Sequence, residues 1–289
     1  MHQAVLVHAD DDTEPSTLTV LLNQALRVAC RYADQHTRRV LLERLVADDS
    51  TGPSTEGEPA VLPGGWGRLR AAAPGSDAQI VRARAWLEAA GQARLLGEAG
   101  SAQVAAHARE ILDGALPGLE LDADMRWRAL TALARLDAVS ANELEAQRKA
   151  DPTASGITHH LQASTSMPHQ DLKAEVFERL LSDTSVSNDH IDALVAGFAV
   201  DAHRELTASF TPRYLREIQG LWAERGQEIA TRLVVGLFPS CGDEADAQAV
   251  EDWLAMHPEA PSALRRLILK SLDDLRRALT ARRTGSAVL

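Results

Sequence analysis

Cysteine is scarce in this chain. Cys30 and Cys241 are the only two, over 200 residues apart, which excludes a disulfide framework and any CxxC metal or redox motif. A reducing, cytoplasmic compartment fits that usage. Long apolar runs are missing as well. The longest segment free of Asp, Glu, Lys and Arg, Pro152 to Gln170, is rich in Thr, Ser and His, and Leu233 to Phe238 falls far short of the roughly 20 residues a bilayer needs. Positive charge is in deficit: 41 Asp and Glu against 30 Lys and Arg leave a net −11, which repels phosphate backbones and anionic lipid heads. The start, Met1-His2-Gln3-Ala4-Val5 running into Asp10-Asp11-Asp12, has neither the basic nor the apolar part of a signal peptide. Nucleic-acid, membrane and secreted roles are therefore not expected.

Catalytic signatures are absent too. A helical zinc site needs two His at i and i+4 with a Glu between, so that both imidazoles share a face and the carboxylate meets the bound water. None of the ten histidines is so paired, and His203-Arg204-Glu205 has no second His. Adjacent His159 and His160 point about 100° apart on a helix, so one is expected in the core and the other in solvent. Gly64-Gly65-Trp66-Gly67 lacks the Lys-Ser/Thr of a phosphate loop and reads as a turn. No Gly-x-Ser-x-Gly elbow occurs, and both cysteines read as structural.

What is present is helix. The 289 residues are 45% hydrophobic, enough to fold without metal or disulfide as one large or two small domains. Apolar positions recur with period 3.6 rather than 2. Leu18, Leu21, Leu22, Ala25, Ala29 and Tyr32 form one stripe over 16–32. Similar patterns follow Pro168 and Ser187, and further helices are expected near 37–48, 76–90, 101–113, 122–137, 153–165, 212–223, 225–236 and 244–256. Ser140 with Glu143 spells a capping box. Helix 122–137 is apolar on two sides, which suits a central position. Leu264, Ile268, Leu272, Leu275 and Leu279 mark the longest helix, entered through Pro261-Ser262. The class is all-α, with short connections that favour antiparallel pairs stacked as a solenoid. Residues 48–67, rich in Gly, Pro, Ser and Thr, are expected to be a mobile loop rather than a linker, because the short stretch before them could hardly bury a core alone.

One charge asymmetry stands out. Across 261–283, seven Arg and Lys face only Asp273 and Asp274, a net +5 against −16 for the remainder. Two readings stay open: a solvated face whose arginines complement the helix dipole, with Asp273 paired to Arg277, or a site where Arg265 and Arg266 receive a carboxylate such as a peptide C-terminus.

Several stretches taken in order carry a resemblance: Val7-His8-Ala9 through Thr13-Glu14-Pro15-Ser16, Ala73-Pro74-Gly75-Ser76-Asp77-Ala78-Gln79, Arg126-Trp127, Asp151-Pro152-Thr153-Ala154-Ser155-Gly156 with His159, Val234 through Pro239, and His257-Pro258 through Arg266. They resemble the C-terminal helical domain of actinobacterial aminopeptidase N, a zinc-dependent aminopeptidase family, a domain type shared with the endoplasmic-reticulum aminopeptidases. Residues 48–67 look like an insertion relative to that pattern. The resemblance implies an α-superhelix of HEAT-like helix pairs, a single domain over 1–289, that caps a catalytic domain and helps admit and position peptide. It also implies that the GxMEN and HExxH-x18-E motifs, and the zinc, belong to an upstream domain of the same polypeptide, of which this chain looks like a fragment. No catalytic or metal residue carries over, and the partners expected are that upstream domain and the peptide. A stand-alone helical-repeat scaffold for protein partners is the competing reading, and an enzyme in its own right a distant third.

Overall fold

The computed structural model describes residues 14–48 and 64–286. Every regular element among them is helical, and the chain divides into two compact units, 1–139 and 140–289.

In the first unit, α1 (Pro15–Arg27) starts at Glu14, whose carboxylate accepts from the Thr17 amide at 2.8 Å, with Pro15 at the first helical position. The single helix expected to Tyr32 changes character. Val28–Tyr32 is a π turn, in which the Ala33 N–H donates to Val28 O at 3.0 Å. The wider turn lets neighbouring Ala29 and Cys30 both be buried. Asp34 then caps α2 (Gln35–Val46), accepting from the amides of His36 and Thr37, and its hydrogen bonds with Thr37 hold its carboxyl below the usual range.

The expected turn at residues 64–67 is instead the opening of a helix, α3 (Gly65–Ala71), and Trp66 is fully buried in it. A Cβ on Gly64 would come within 2.4 Å of Ala47 O, and one on Gly65 within 1.9 Å of Leu45 O. The glycines are there because the chain passes against the end of α2, where the Trp66 N–H donates to Ala47 O at 3.0 Å. Residues 49–63, the bulk of the expected loop, lie outside the described residues, as does Val7-His8-Ala9.

Three further helices complete the unit: α4 (Asp77–Ala90), α5 (Gly97–Leu112) and α6 (Ala123–Arg135). Helix α6 packs against both α4 and α5. Both of its expected apolar rows are buried, Met125, Ala129, Leu133 and Leu136 on one side, Trp127, Leu130 and Ala134 on the other.

The second unit opens with α7 (Ala141–Ala150), whose Ser140–Glu143 capping box forms as spelled. It continues through α8 (Ala154–Thr165), α9 (Gln170–Ser182), α10 (Asn188–Phe198), the one-turn α11 (Arg204–Thr207), α12 (Thr211–Glu224), α13 (Gln227–Gly236), α14 (Glu244–Met256) and α15 (Ser262–Ser286). The packing has a simple order. Helix α8 lies on α10, α10 on α13 and α13 on α15, while α9, α12 and α14 each pack on the next helix in sequence. Two layers of paired helices result, compatible with the repeat geometry the resemblance implies.

The core of this unit runs from Val176 and Phe177 through Leu194, Tyr214, Ile218, Leu233 and Trp253 to the last helix. Phe177 sits 5.6 Å from Phe198 and 4.8 Å from Phe210 between ring centroids. At the end of the chain, Leu264, Ile268, Leu272, Leu275 and Leu279 are all buried. That single stripe contributes roughly 10 kcal/mol of gross transfer free energy.

Candidate functional site

In the second unit, polar side chains from two helices converge around open space. Thr153 caps α8 by accepting from the Gly156 amide, and Ser187 caps α10 by accepting from that of His190. Toward their C-terminal ends the two helices touch. A Cβ on Gly197 would lie 2.0 Å from Thr165 Oγ1, so only glycine permits this approach. Lys173 of α9, fully buried, fastens the same end, its Nζ donating to Thr165 O at 2.8 Å and Gly197 O at 2.5 Å. An ammonium suits that place because helix C-termini present unpaired carbonyls and the negative end of the dipole.

Along the rest of their length α8 and α10 flank an open groove of about 470 Å³, lined by Ser155, Thr158, His159 and Gln162 from one helix and Asp189, Asp192, Ala193 and Ala196 from the other. Asp192 pairs with Arg232, which also donates to Glu228 at 2.9 Å. Hydroxyls, an amide, an imidazole and carboxylates make this a hydrogen-bonding surface for a polar group. His159 and His160 are both half-buried, not one inside and one out as expected, since α8 is flanked by α7 and α10 on two sides. Burial holds the His160 imidazole below its ordinary value against the opposing pull of Glu145. Arg148 hydrogen bonds, in turn, hold Glu145 down at about 2.

The basic C-terminal helix is mostly engaged within the chain. Arg276 bonds Glu251 at 2.9 and 2.7 Å and also meets Glu244. Arg283 bonds Glu244 at 2.7 Å, Arg282 donates to Gly242 O at 2.9 Å, and Arg277 pairs with Asp273 as the spacing predicts. Arg265 donates from Nη1 to Leu254 O at 2.8 Å and His257 O at 2.6 Å, closing the C-terminus of α14. Neighbouring Arg266 is exposed, as are Leu269 and Lys270 one turn on. Arg225 repeats the Arg265 device, capping α9 through Leu181 O and Asp183 O.

Two constellations escaped the sequence reading. Lys173 stands at helical spacing from Val176, Phe177 and Leu180, within the apolar stripe, which was its signal. His107 is the other. Its ring stacks on Trp66 at 4.4 Å, and its nitrogens lie 3.1 Å from Asp48 Oδ2 and Glu110 Oε1. Glu110 is one helical turn away, but Asp48 and Trp66 are distant in sequence, so no local pattern announced the group.

No group of three or more His, Cys, Asp or Glu among the described residues is placed to hold a metal ion, so the side chains here do not fit a zinc centre. No helix among them is long and apolar enough to cross a membrane.

Over 222 residues, 76% of its length, the chain is 33% identical to "Aminopeptidase N" of Streptomyces lividans, yet it spans only 25% of that relative. The family model described as the ERAP1-like C-terminal domain matches residues 66–277, from the buried Trp66 to the last helix, and the chain belongs to that family.

Proposed function

We propose that this chain serves as the noncatalytic helical domain of a zinc metallo-aminopeptidase, capping the active-site chamber and helping to admit and position peptide while a domain upstream removes the N-terminal residue. The observation that carries the reading is the family match over 66–277, joined to a relative about three times as long that bears the name aminopeptidase N. A helical body without a zinc-holding cluster among its described residues suits a division of labour in which metal chemistry belongs elsewhere in the polypeptide. A cytoplasmic location, with the upstream domain and peptide as partners, goes with this reading. Arg266, and with it Arg265, is the proposed contact for the peptide's carboxylate, because a guanidinium receives a carboxylate through two parallel hydrogen bonds.

The test compares the purified chain with the longer polypeptide containing the upstream region, by zinc content and by hydrolysis of alanyl and leucyl amides. Only the longer protein should hold zinc and turn over substrate. Stoichiometric zinc and cleavage in the chain alone would sink the reading.

A further inference from the structure

The groove between α8 and α10 has two matching walls. One runs from Ser155 to Gln162 and the other from Asp189 to Ala196, each presenting side chains at i, i+3, i+4 and i+7 of its helix. That length of helix rises about 10 Å, the span of roughly three residues of extended chain. One end is shut, where Gly197 meets Thr165 and Lys173 is bonded to the carbonyls of both. At the other end Ser155 and Asp189, in the first turns of the two helices, are exposed.

Charge gathers at the exposed end. Arg232 answers two carboxylates, those of Asp192 and Glu228, and the Asn188 side chain also bonds Glu228. Asp189, the next residue, makes no ion pair among the described residues, so three carboxylates stand there against one guanidinium and the local charge is negative. Deeper in, Gln162 is half-buried, and its side-chain amide makes no hydrogen bond among the described residues. Ala193 and Ala196 face it from α10 with no bulk beyond Cβ, which leaves the groove its width.

A bare metal ion does not answer these features, since no three His, Cys, Asp or Glu side chains among the described residues converge to hold one. A peptide does. Its main chain can exchange both a donor and an acceptor with a primary carboxamide, and a Lys or Arg side chain brings a charge-assisted hydrogen bond to a carboxylate. We propose that this groove binds a short extended peptide segment carrying Lys or Arg, with Asp189 taking the basic side chain and Gln162 the main chain. The site rests on the reading above for the source of the peptide, and it makes Asp189 a specificity determinant for an interior residue rather than for either terminus.

The test is binding to the 289-residue chain alone, followed by backbone amide chemical shifts, and it is independent of zinc and of cleavage. The probes are tripeptides, acetylated at one end and amidated at the other, with Lys, norleucine or Glu between two alanines. Neither end carries a charge for Arg266 to receive. The Lys peptide should bind about four-fold more tightly than the norleucine peptide, the scale of one exposed charge contact, and the Glu peptide more weakly still, with the shifts on α8 and α10. The preference should shrink as salt rises from about 20 to about 300 mM. Asp189→Asn should bring the Lys and norleucine peptides level, whereas Gln162→Leu should weaken both alike. Should Asp189→Asn fail to fold, the wild-type preference with its salt dependence and the Gln162 variant decide the matter. Equal affinity for the three peptides, shifts away from α8 and α10, a Lys preference kept in Asp189→Asn, or butylammonium binding as tightly as the Lys peptide overturns the site. None of these would touch the aminopeptidase reading, which zinc and turnover in the longer polypeptide decide.

Discussion

The Nζ of Lys173 lies 2.5 Å from the carbonyl oxygen of Gly197, with no part of the lysine exposed. A second carbonyl, that of Thr165, takes another of its protons at 2.8 Å. A buried charge is expensive unless its hydrogen bonds are met, and here the C-termini of α8 and α10 supply acceptors that would themselves be orphaned without it. Each depends on the other. Lys173→Met keeps the apolar length and removes the donor, leaving two buried carbonyls short. It should cost about 2–4 kcal/mol, read as a lower urea midpoint at unchanged slope. A loss under about 0.5 kcal/mol would mean that water reaches those carbonyls and the clamp is not what joins the helices.

The same crossing makes an opposed pair of effects measurable at Gly197. Alanine in a helix interior is worth about 1 kcal/mol more than glycine by propensity. Against that, the new Cβ would sit 2.0 Å from Thr165 Oγ1 and 3.0 Å from Gln162 O. The clash wins. Gly197→Ala should destabilise by about 2 kcal/mol net, and adding Thr165→Ala, which removes the hydroxyl, should recover part of the loss. Stability gained in the single variant would show that the helices part freely.

These two residues also mark where the sequence stops being informative. Period-3.6 stripes are written in the chain, and the one at Leu264 to Leu279 is buried along its full length. Caps are local too, so Ser140 and Glu143 pair as the spacing requires. Gly64 to Gly67 shows the limit. Glycine clusters read as turns because local φ/ψ freedom is their usual use, whereas here they admit the backbone of α2, a contact no local window contains. His107 and Asp48 meet across 59 positions, and Arg265, read from the sequence as either a solvated charge or a carboxylate contact, is seen to close α14 only when Leu254 O and His257 O are beside it. The candidate cleft was legible only in part: His159 was singled out, but its companions Asp189 and Asp192 come from a helix two elements on.

Glu88 and Arg135 give a pH signature. Arg135 is buried at the end of α6, and its guanidinium bonds Glu88 at 2.7 Å. The charge of Arg135, and then its hydrogen bond, hold the Glu88 carboxyl below its ordinary value against the opposing pull of burial. Because the folded value is depressed, the stabilisation is present above the ordinary carboxylate range, near 4.3, and fades as pH falls through the lower folded value. Half of the Glu88 side chain is exposed, so the pair contributes only about 1 kcal/mol. Glu88→Gln should therefore be less stable than wild type at about pH 7, with the gap narrowing below about pH 4. A gap that stays constant down to about pH 3 would assign the loss to packing instead.

Arg265 and Arg266 are neighbours whose substitutions should have separable effects. Arg265 closes α14 through Leu254 O and His257 O, so Arg265→Ala removes two charged donors from a helix end and should cost about 1–2 kcal/mol of stability. Arg266 is exposed with no such bond among the described residues, and Arg266→Ala should leave the urea midpoint within about 0.5 kcal/mol of wild type. If Arg266 receives the carboxylate of a peptide, its loss in the longer polypeptide proposed above should raise KM for peptides about ten-fold while sparing aminoacyl amides, which carry no distal carboxylate. Equal effects on both substrates would remove the carboxylate contact and leave Arg266 a solvated charge. A fall in stability equal to that of Arg265→Ala would instead make both arginines part of the end of α14.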